Sequence, residues 1–308
     1  MRAAAIDIGS NSIKLLVAER GADGELNEVL SRVLEVRIGS GIASNHPRLT
    51  RDGIENGIAA VAELVTEIGR MGAERIGIVA TSAVRDASNG WEFRERVKAS
   101  SGLEVRILSG IEEANLIGRG LATDAALADL RDFHVFDLGG GSLECLSFRG
   151  RTVESEASLP LGCVRLSEKF VADRAAPFGS PEADAITQHV REVLRNSGFP
   201  FPVPLGSTVV GTGGTLTNVR AMEGALKGLP MEQADPLLLV SRLRRILAEV
   251  GALRLDDRRK VKGLSPERAD VFPAALATLI ALAELGGFQA FRHSVRNLRW
   301  GLADELLG

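Results

Sequence analysis

An eight-residue segment occurs twice in this chain, and no other feature constrains the fold as strongly. Asp7-Ile8-Gly9-Ser10-Asn11-Ser12-Ile13-Lys14 aligns without gaps on Asp137-Leu138-Gly139-Gly140-Gly141-Ser142-Leu143-Glu144, 130 residues further on. Asp, Gly and Ser coincide, and the apolar positions match in type. Each copy reads as the end of one strand, a tight turn on glycine and the start of a second strand. A third strand follows in both, Glu25–Val36 in the first copy and Arg151–Ala157 in the second. The first copy then changes period. Ile54, Ile58, Val61, Leu64, Val65 and Ile68 share one helical face, with Thr50 placed as N-cap. Strand Arg75–Thr81, helix Trp91–Ala99, strand Val105–Leu108 and helix Gly110–Ala122 complete a βββ-α-β-α-β-α order. From His134 the programme restarts. Helices at Val164–Val171 and Glu182–Asn196 precede a strand, Thr208–Gly211, that runs into Gly211-Thr212-Gly213-Gly214-Thr215.

The expectation is an α/β protein built from two duplicated domains around a central cleft. The first spans residues 1–122 and the second 123–308, with the C-terminal helix 299–307 free to pack back onto the first. A length of 308 residues agrees, at roughly 150 residues per domain.

Composition narrows the function classes. A net charge of −3 and a pI near 5.9 give no broad basic face for nucleic acid or anionic lipid. Aromatics make up 4% and Tyr is absent, which argues against a base-stacking surface. Cys145 and Cys163 alone make no disulfide framework. The chain opens directly on a strand without the apolar core of a signal peptide, so a cytoplasmic location is expected. The run Phe272–Leu285 is too short to cross a bilayer and reads as a buried helix. A homodimer is left open.

Asp7 and Asp137 each end a first strand just before a phosphate-type turn. A carboxylate there can hold Mg²⁺ while neighbouring amides hold phosphate oxygens, although Asp also starts ordinary turns. Ser10, Asn11 and Ser12 supply donors in the first turn. Gly139, Gly140, Gly141 and Ser142 in the second, and Gly211, Thr212, Gly213 and Gly214 after a later strand, are dense glycine turns of the kind that admit a ligand or backbone closely. Neither segment matches the pattern G-x-G-x-x-G in its required strand–helix setting, and no P-loop Gly-Lys-Ser/Thr exists. Ser109 and Glu112 form a capping box, leaving the adjacent Glu113 free to orient or deprotonate water; the bland alternative is a first-turn Glu complementing the helix dipole. Glu144 alternates away from Leu143 and Cys145 and either shares a metal with Asp137 or is a solvated strand residue. Arg85 could neutralise a transferred phosphate, or be one more surface arginine. The run Arg254–Lys262 reads as a solvated basic loop, with a landing surface for a polyanion as the alternative, and His46, His134, His189 and His293 lack metal-ligand spacing.

Together, Asp7–Ser12, Ser109–Ala114, Asp137–Glu144 and Gly211–Thr215 resemble the signatures of the exopolyphosphatase/guanosine pentaphosphate phosphohydrolase (Ppx/GppA) family, in its short two-domain form. Gly162-Cys163-Val164 and Gly263–Val271 extend the likeness. The resemblance implies duplicated ribonuclease H-like domains of the actin/hexokinase superfamily. It implies Glu113 as the catalytic carboxylate acting on water and Arg85 as a phosphate contact. It further implies Mg²⁺ (or Mn²⁺) on Asp137 and Glu144 with Asp7 nearby, and polyphosphate or guanosine pentaphosphate as substrate. Asn297-Leu298-Arg299 departs from the Gly-Leu-Arg expected there. An ATP-dependent kinase of the same superfamily, or a non-catalytic sensor of guanosine tetra- or pentaphosphate, are the alternatives.

Overall fold

The computed structural model describes Met1–Gly308 and resolves two compact units, residues 1–129 with 296–308, and residues 130–295. The sequence reading placed the division at 122/123. The short 3₁₀ turn Ala125–Leu127 still belongs to the first unit, and so does the end of the chain.

In the first unit, strands β1 (Arg2–Ile8), β2 (Ile13–Arg20) and β3 (Leu26–Leu34) form a meander. Helix α1 (Arg51–Met71) leads to β4 (Arg75–Ala80), followed by α2 (Ser82–Asp86), α3 (Gly90–Ser101), β5 (Val105–Ile107) and α4 (Gly110–Ala122). The sheet order is β3-β2-β1-β4-β5, with β4 and β5 parallel to β1. Central β1 reads Arg-Ala-Ala-Ala-Ile-Asp-Ile without alternation because both of its faces are covered, as parallel neighbours require. Thr50 caps α1, accepting from the Gly53 amide, and Gly72 ends the helix in the left-handed region at φ +64°.

The second unit repeats the order: β6 (Phe133–Leu138), β7 (Leu143–Arg149), β8 (Thr152–Leu159), α5 (Cys163–Phe170), α6 (Ser180–Arg195), β9 (Thr208–Thr212) and α7 (Gly214–Leu226). It continues through β10 (Leu237–Leu239), α8 (Val240–Gly251), α9 (Leu255–Arg258), α10 (Phe272–Gly286) and β11 (Ala290–His293). Its sheet runs β10-β11-β9-β6-β7-β8, the same 3-2-1-4-5 arrangement extended by one antiparallel edge strand. Helix α10 is buried nearly all round, which explains an apolar stretch with no polar face. No helix is long and apolar enough to cross a membrane.

Helix α11 (Leu298–Leu307) packs on α4 and β1 of the first unit. The approach is backbone to backbone. A Cβ at Gly301 would lie 1.9 Å from the Leu116 carbonyl oxygen, and one at Gly120 2.1 Å from that of Asn297. Asp304 ties the helix down by accepting from Arg20 at 2.8 Å and Arg119 at 2.6 Å. Arg299 donates to the Leu15 carbonyl at 3.0 Å, so the Asn297-Leu298-Arg299 segment serves as a clamp on β2.

The basic run Arg254–Lys262 differs from its reading as a solvated loop. Part of it is α9, and Arg258 is buried at 1% exposure. Its guanidinium donates to the carbonyls of Val250, Ala269, Ala176 and Leu253, which satisfies the N–H groups of a buried cation. Burial lowers its pKa from the ordinary arginine value.

Candidate active site

The duplicated octads fold into turns closed by the same hydrogen bond. The Gly9 amide donates to the Ser12 carbonyl at 3.1 Å, and the Gly139 amide to that of Ser142 at 3.0 Å. In both hairpins the next-to-last residue of the first strand sits opposite the residue seven positions on: Asp7 faces Lys14, and Asp137 faces Glu144. At this equivalent position the two units differ in charge, an ammonium in the first and a carboxylate in the second. Lys14 Nζ lies 3.7 Å from Asp7 Oδ2. That pairing offsets the Asp7 charge and makes the first hairpin the less suitable of the two for a divalent cation.

The loop after β3 braces the first turn. Amides of Gly39 and Arg37 donate to the carbonyls of Ser10 and Asn11, each at 2.8 Å, and Ser10 Oγ shares a hydrogen bond of 3.2 Å with Ser82 Oγ. Ser10, Asn11 and Ser12 are all buried. Asn11 Nδ2 donates to Glu35, which engages one of its two N–H groups, whereas Asn11 Oδ1 is buried with no hydrogen-bond partner. The side chain thus offers an acceptor, suited to a water or a cation.

In the second unit, helix α5 ties off the carbonyls of the glycine triplet. Amides of Cys163 and Val164 donate to Gly139 and Gly140 at 3.0 and 2.8 Å, and Arg165 Nε donates to Gly141 at 2.9 Å. Within a planar peptide the carbonyl and the following amide point opposite ways, so the amides of Gly140, Gly141 and Ser142 are directed away from α5. Gly162 permits this contact: a Cβ there would stand 2.3 Å from Gly141 N and C and 2.4 Å from Gly140 C.

Asp137 and Glu144 are buried at 7% and 1% exposure, and Ser158 Oγ donates to Glu144 Oε1 at 2.9 Å. Burial rules out the solvated-strand reading of Glu144. The Gly211–Gly214 turn joins them, since β9 pairs Thr212 with Asp137. Gly213 adopts φ +98°, and a Cβ there would lie 2.8 Å from Asp137 Oδ1 and 2.5 Å from the Leu138 carbonyl oxygen. Only glycine meets both conditions. Thr212 Oγ1 is fully buried with no partner. Arg268 places its guanidinium against Gly214, where a Cβ would be 2.7 Å from Cζ. Asn218 links this turn to the Gly263–Arg268 loop, donating to the Gly214 carbonyl and accepting from the Ser265 amide, both at 2.7 Å.

Glu113 stands at the start of α4, beside the complete capping box of Ser109 and Glu112. The hydrogen bonds of that box hold the Glu112 carboxyl at a pKa of about 2. Glu113 is buried at 6% exposure and accepts from Arg85 Nη1 at 2.9 Å, a nitrogen that also donates to the Leu108 carbonyl at 3.0 Å. Arg85 belongs to α2, a five-residue helix absent from the sequence reading, and Nε lies 3.4 Å from Asp86. Arg85 is therefore placed to orient Glu113.

No three of His, Cys, Asp and Glu converge as a protein-only metal cage. The donor set that does exist is the facing pair Asp137 and Glu144, with two glycine turns around it. Two carboxylates completed by phosphate oxygens and water suit Mg²⁺, which keeps part of its hydration shell. Lys14, Glu35, Ser82 and Arg165 were missed from sequence, whereas Gly162 and Arg268 lay in segments noted there only for the family likeness. Of these only Lys14 carried a signal, through its alignment with Glu144. A groove of about 610 Å³ among α6, α8 and α10 contains none of these residues, and its arginines, Arg191 and Arg244, both donate to Glu284 at 2.6 Å.

Two α/β units of 3-2-1-4-5 sheet order, each opening on a glycine-closed hairpin after a strand-end Asp, define a duplicated ribonuclease H-like protein of the actin type. Within that class the chain belongs to the Ppx/GppA phosphatase family, whose model matches residues 16–308. It is similar to the crystal structure of the Aquifex aeolicus Ppx/GppA family member, at 30% identity over 100% of this chain and 98% of that one, with a TM-score of 0.78. It shares its fold with an exopolyphosphatase from Cytophaga hutchinsonii ATCC 33406, at 21% identity, 100% and 98% coverage, and a TM-score of 0.89.

Proposed function

We propose that this chain is a hydrolase that releases the terminal phosphate of inorganic polyphosphate, guanosine pentaphosphate or both, by Mg²⁺-assisted attack of water. The observation carrying this reading is the buried pair Asp137 and Glu144, facing each other beside two turns that tolerate only glycine at Gly213 and Gly162. Membership of a phosphatase family supports it.

The amides of Gly140, Gly141 and Ser142, with those at the start of α7, would bind non-bridging phosphate oxygens. Ser10, Asn11 and Ser12 would do the same in the first unit, with the Lys14 ammonium as a counter-charge. Mg²⁺ or Mn²⁺ held by Asp137 and Glu144 would neutralise charge on the terminal phosphates. Glu113, oriented by Arg85, accepts a proton from water as the water oxygen bonds to the terminal phosphorus. The bridging P–O bond breaks, and its electron pair leaves with the shortened chain. Phosphoryl transfer relies on positioning and charge stabilisation, so this short roster of side chains is sufficient.

The test is phosphate release from each substrate with wild type and Glu113→Gln. The variant keeps size and polarity but cannot accept the proton, so kcat should fall by about 10²–10⁴ with KM little changed. An unchanged kcat removes Glu113 from the mechanism. ADP formation from ATP that depends on an added acceptor, without phosphate release, would replace the hydrolase reading with a kinase.

A further inference from the structure

One buried titratable group beside these turns has no part in the chemistry above. His293 ends β11, which runs parallel to β9 with His293 opposite Gly211. It is 4% exposed. Its own amide donates to the Pro236 carbonyl at 2.7 Å, and the next amide, Ser294, donates to Gly211 at 3.1 Å. The ring therefore sits at a fixed place beside the Gly211–Gly214 turn.

The hydrogen-bond directions are determined. Thr217 Oγ1 donates to the Gly213 carbonyl at 3.1 Å, which uses the only hydrogen the hydroxyl has. His293 Nε2 lies 3.3 Å from the same oxygen and must be its donor. The imidazole is then the Nε2–H tautomer, and Nδ1, buried without a partner, is a bare acceptor. A second proton would reside on Nδ1 with nothing to receive it. Burial, and then the charge of Arg220, push the His293 pKa down to about 3. Across the neutral range His293 is a fixed neutral donor.

We propose that His293, acting through the Thr217 hydroxyl, is a positioning residue that fixes the Gly213 carbonyl and so sets the orientation of the Gly213–Gly214 phosphate turn. A backbone at φ +98° has no side chain of its own to stabilise it, and α7 has no side-chain N-cap at Gly213. The carbonyl is held by the Thr217 amide at 3.2 Å and the Thr217 hydroxyl at 3.1 Å. A hydroxyl without His293 is free to rotate off that bond. The inference rests on the Gly211–Gly214 turn binding phosphate.

Three substitutions separate positioning from packing. Gln places an amide N–H where Nε2 stands, Asn places one nearer Nδ1, and Val supplies none. His293→Gln should keep KM for long-chain polyphosphate within about twofold of wild type. His293→Asn and His293→Val should raise KM about three- to tenfold, the loss of one neutral hydrogen bond, with kcat changed less. Thr217→Val should match His293→Val, and the double variant should lose no more than either. Amide hydrogen exchange at Gly213–Leu216, with and without polyphosphate, is measured on the same proteins. The expected result is protection by polyphosphate in wild type and His293→Gln that is weakened in His293→Val. Protection with an unaltered KM in folded His293→Val overturns the positioning role alone. Absence of any protection in wild type overturns the phosphate-turn reading and this inference with it.

Discussion

Replacing Gly162 by Ala puts a single methyl group into the backbone of the turn between β6 and β7. The added carbon would lie 2.3 Å from Gly141 N and C, more than an ångström short of the 3.4 Å at which ordinary van der Waals contact begins. The obstacle is backbone on both sides, so no rotamer relieves it. The Gly140–Gly141 segment or the start of α5 must move by about 1 Å, and a misplacement of that size costs on the order of 10²-fold in rate where positioning governs catalysis. Overpacking of this kind costs about 1–3 kcal/mol of stability, leaving the chain folded at 25 °C. The assay is phosphate release under initial-rate conditions, with circular dichroism confirming the fold. Gly69→Ala is the control: a Cβ there meets nothing within 4 Å, and in the last turn of α1 the change should be neutral or stabilising by about 0.5–1 kcal/mol. A folded Gly162→Ala protein with wild-type kcat/KM would refute the assignment of this turn to phosphate.

Gly301→Ala should detach α11 from α4, because the Cβ would fall 1.9 Å from the Leu116 carbonyl oxygen; a loss of about 3 kcal/mol or more and a Tm lower by roughly 6–12 °C are expected by calorimetry. Glu144→Gln removes one of two facing carboxylates, and Mn²⁺ binding followed by electron paramagnetic resonance should weaken at least about tenfold, whereas Lys14→Gln should not weaken it. Stability should fall on acidification below pH 6.5, because the unfolded state takes up a proton at His293 that the folded state, with a pKa of about 3, refuses. The contribution is whole above 6.5 and lost progressively down to about 3. Urea titrations at several pH values should therefore show a shallower acid slope in His293→Gln than in wild type.

The duplicated hairpin was legible because its determinants are local. Asp, glycine and small polar residues at fixed offsets specify a turn whose closing bond spans only Gly9 to Ser12, or Gly139 to Ser142. Even the charge asymmetry was present in the sequence, since aligning the octads sets Lys14 against Glu144 and antiparallel pairing sets each opposite an Asp. Features that depend on distant partners were not legible. Arg258 looks like any residue of a basic run until Ala176, Val250, Leu253 and Ala269 bring their carbonyls to it. Arg85 belongs to a helix of five residues, and β10 has three, both too short for periodicity to register. Its bond to Glu113 crosses 28 positions and exists only because β4 and β5 are neighbours. Asn11 was read as a donor, and only the position of Glu35 shows that one of its two amide N–H groups is already taken.

Hydrolysis in water enriched in ¹⁸O, with ³¹P resonance detection, tests the central claim most directly. Long-chain polyphosphate and guanosine pentaphosphate are each incubated with the wild-type chain and Mg²⁺, without any acceptor. Direct attack of water on the terminal phosphorus predicts one ¹⁸O atom in each released phosphate and none in the shortened chain. Label appearing in the shortened chain, or no phosphate released from either substrate, would contradict it.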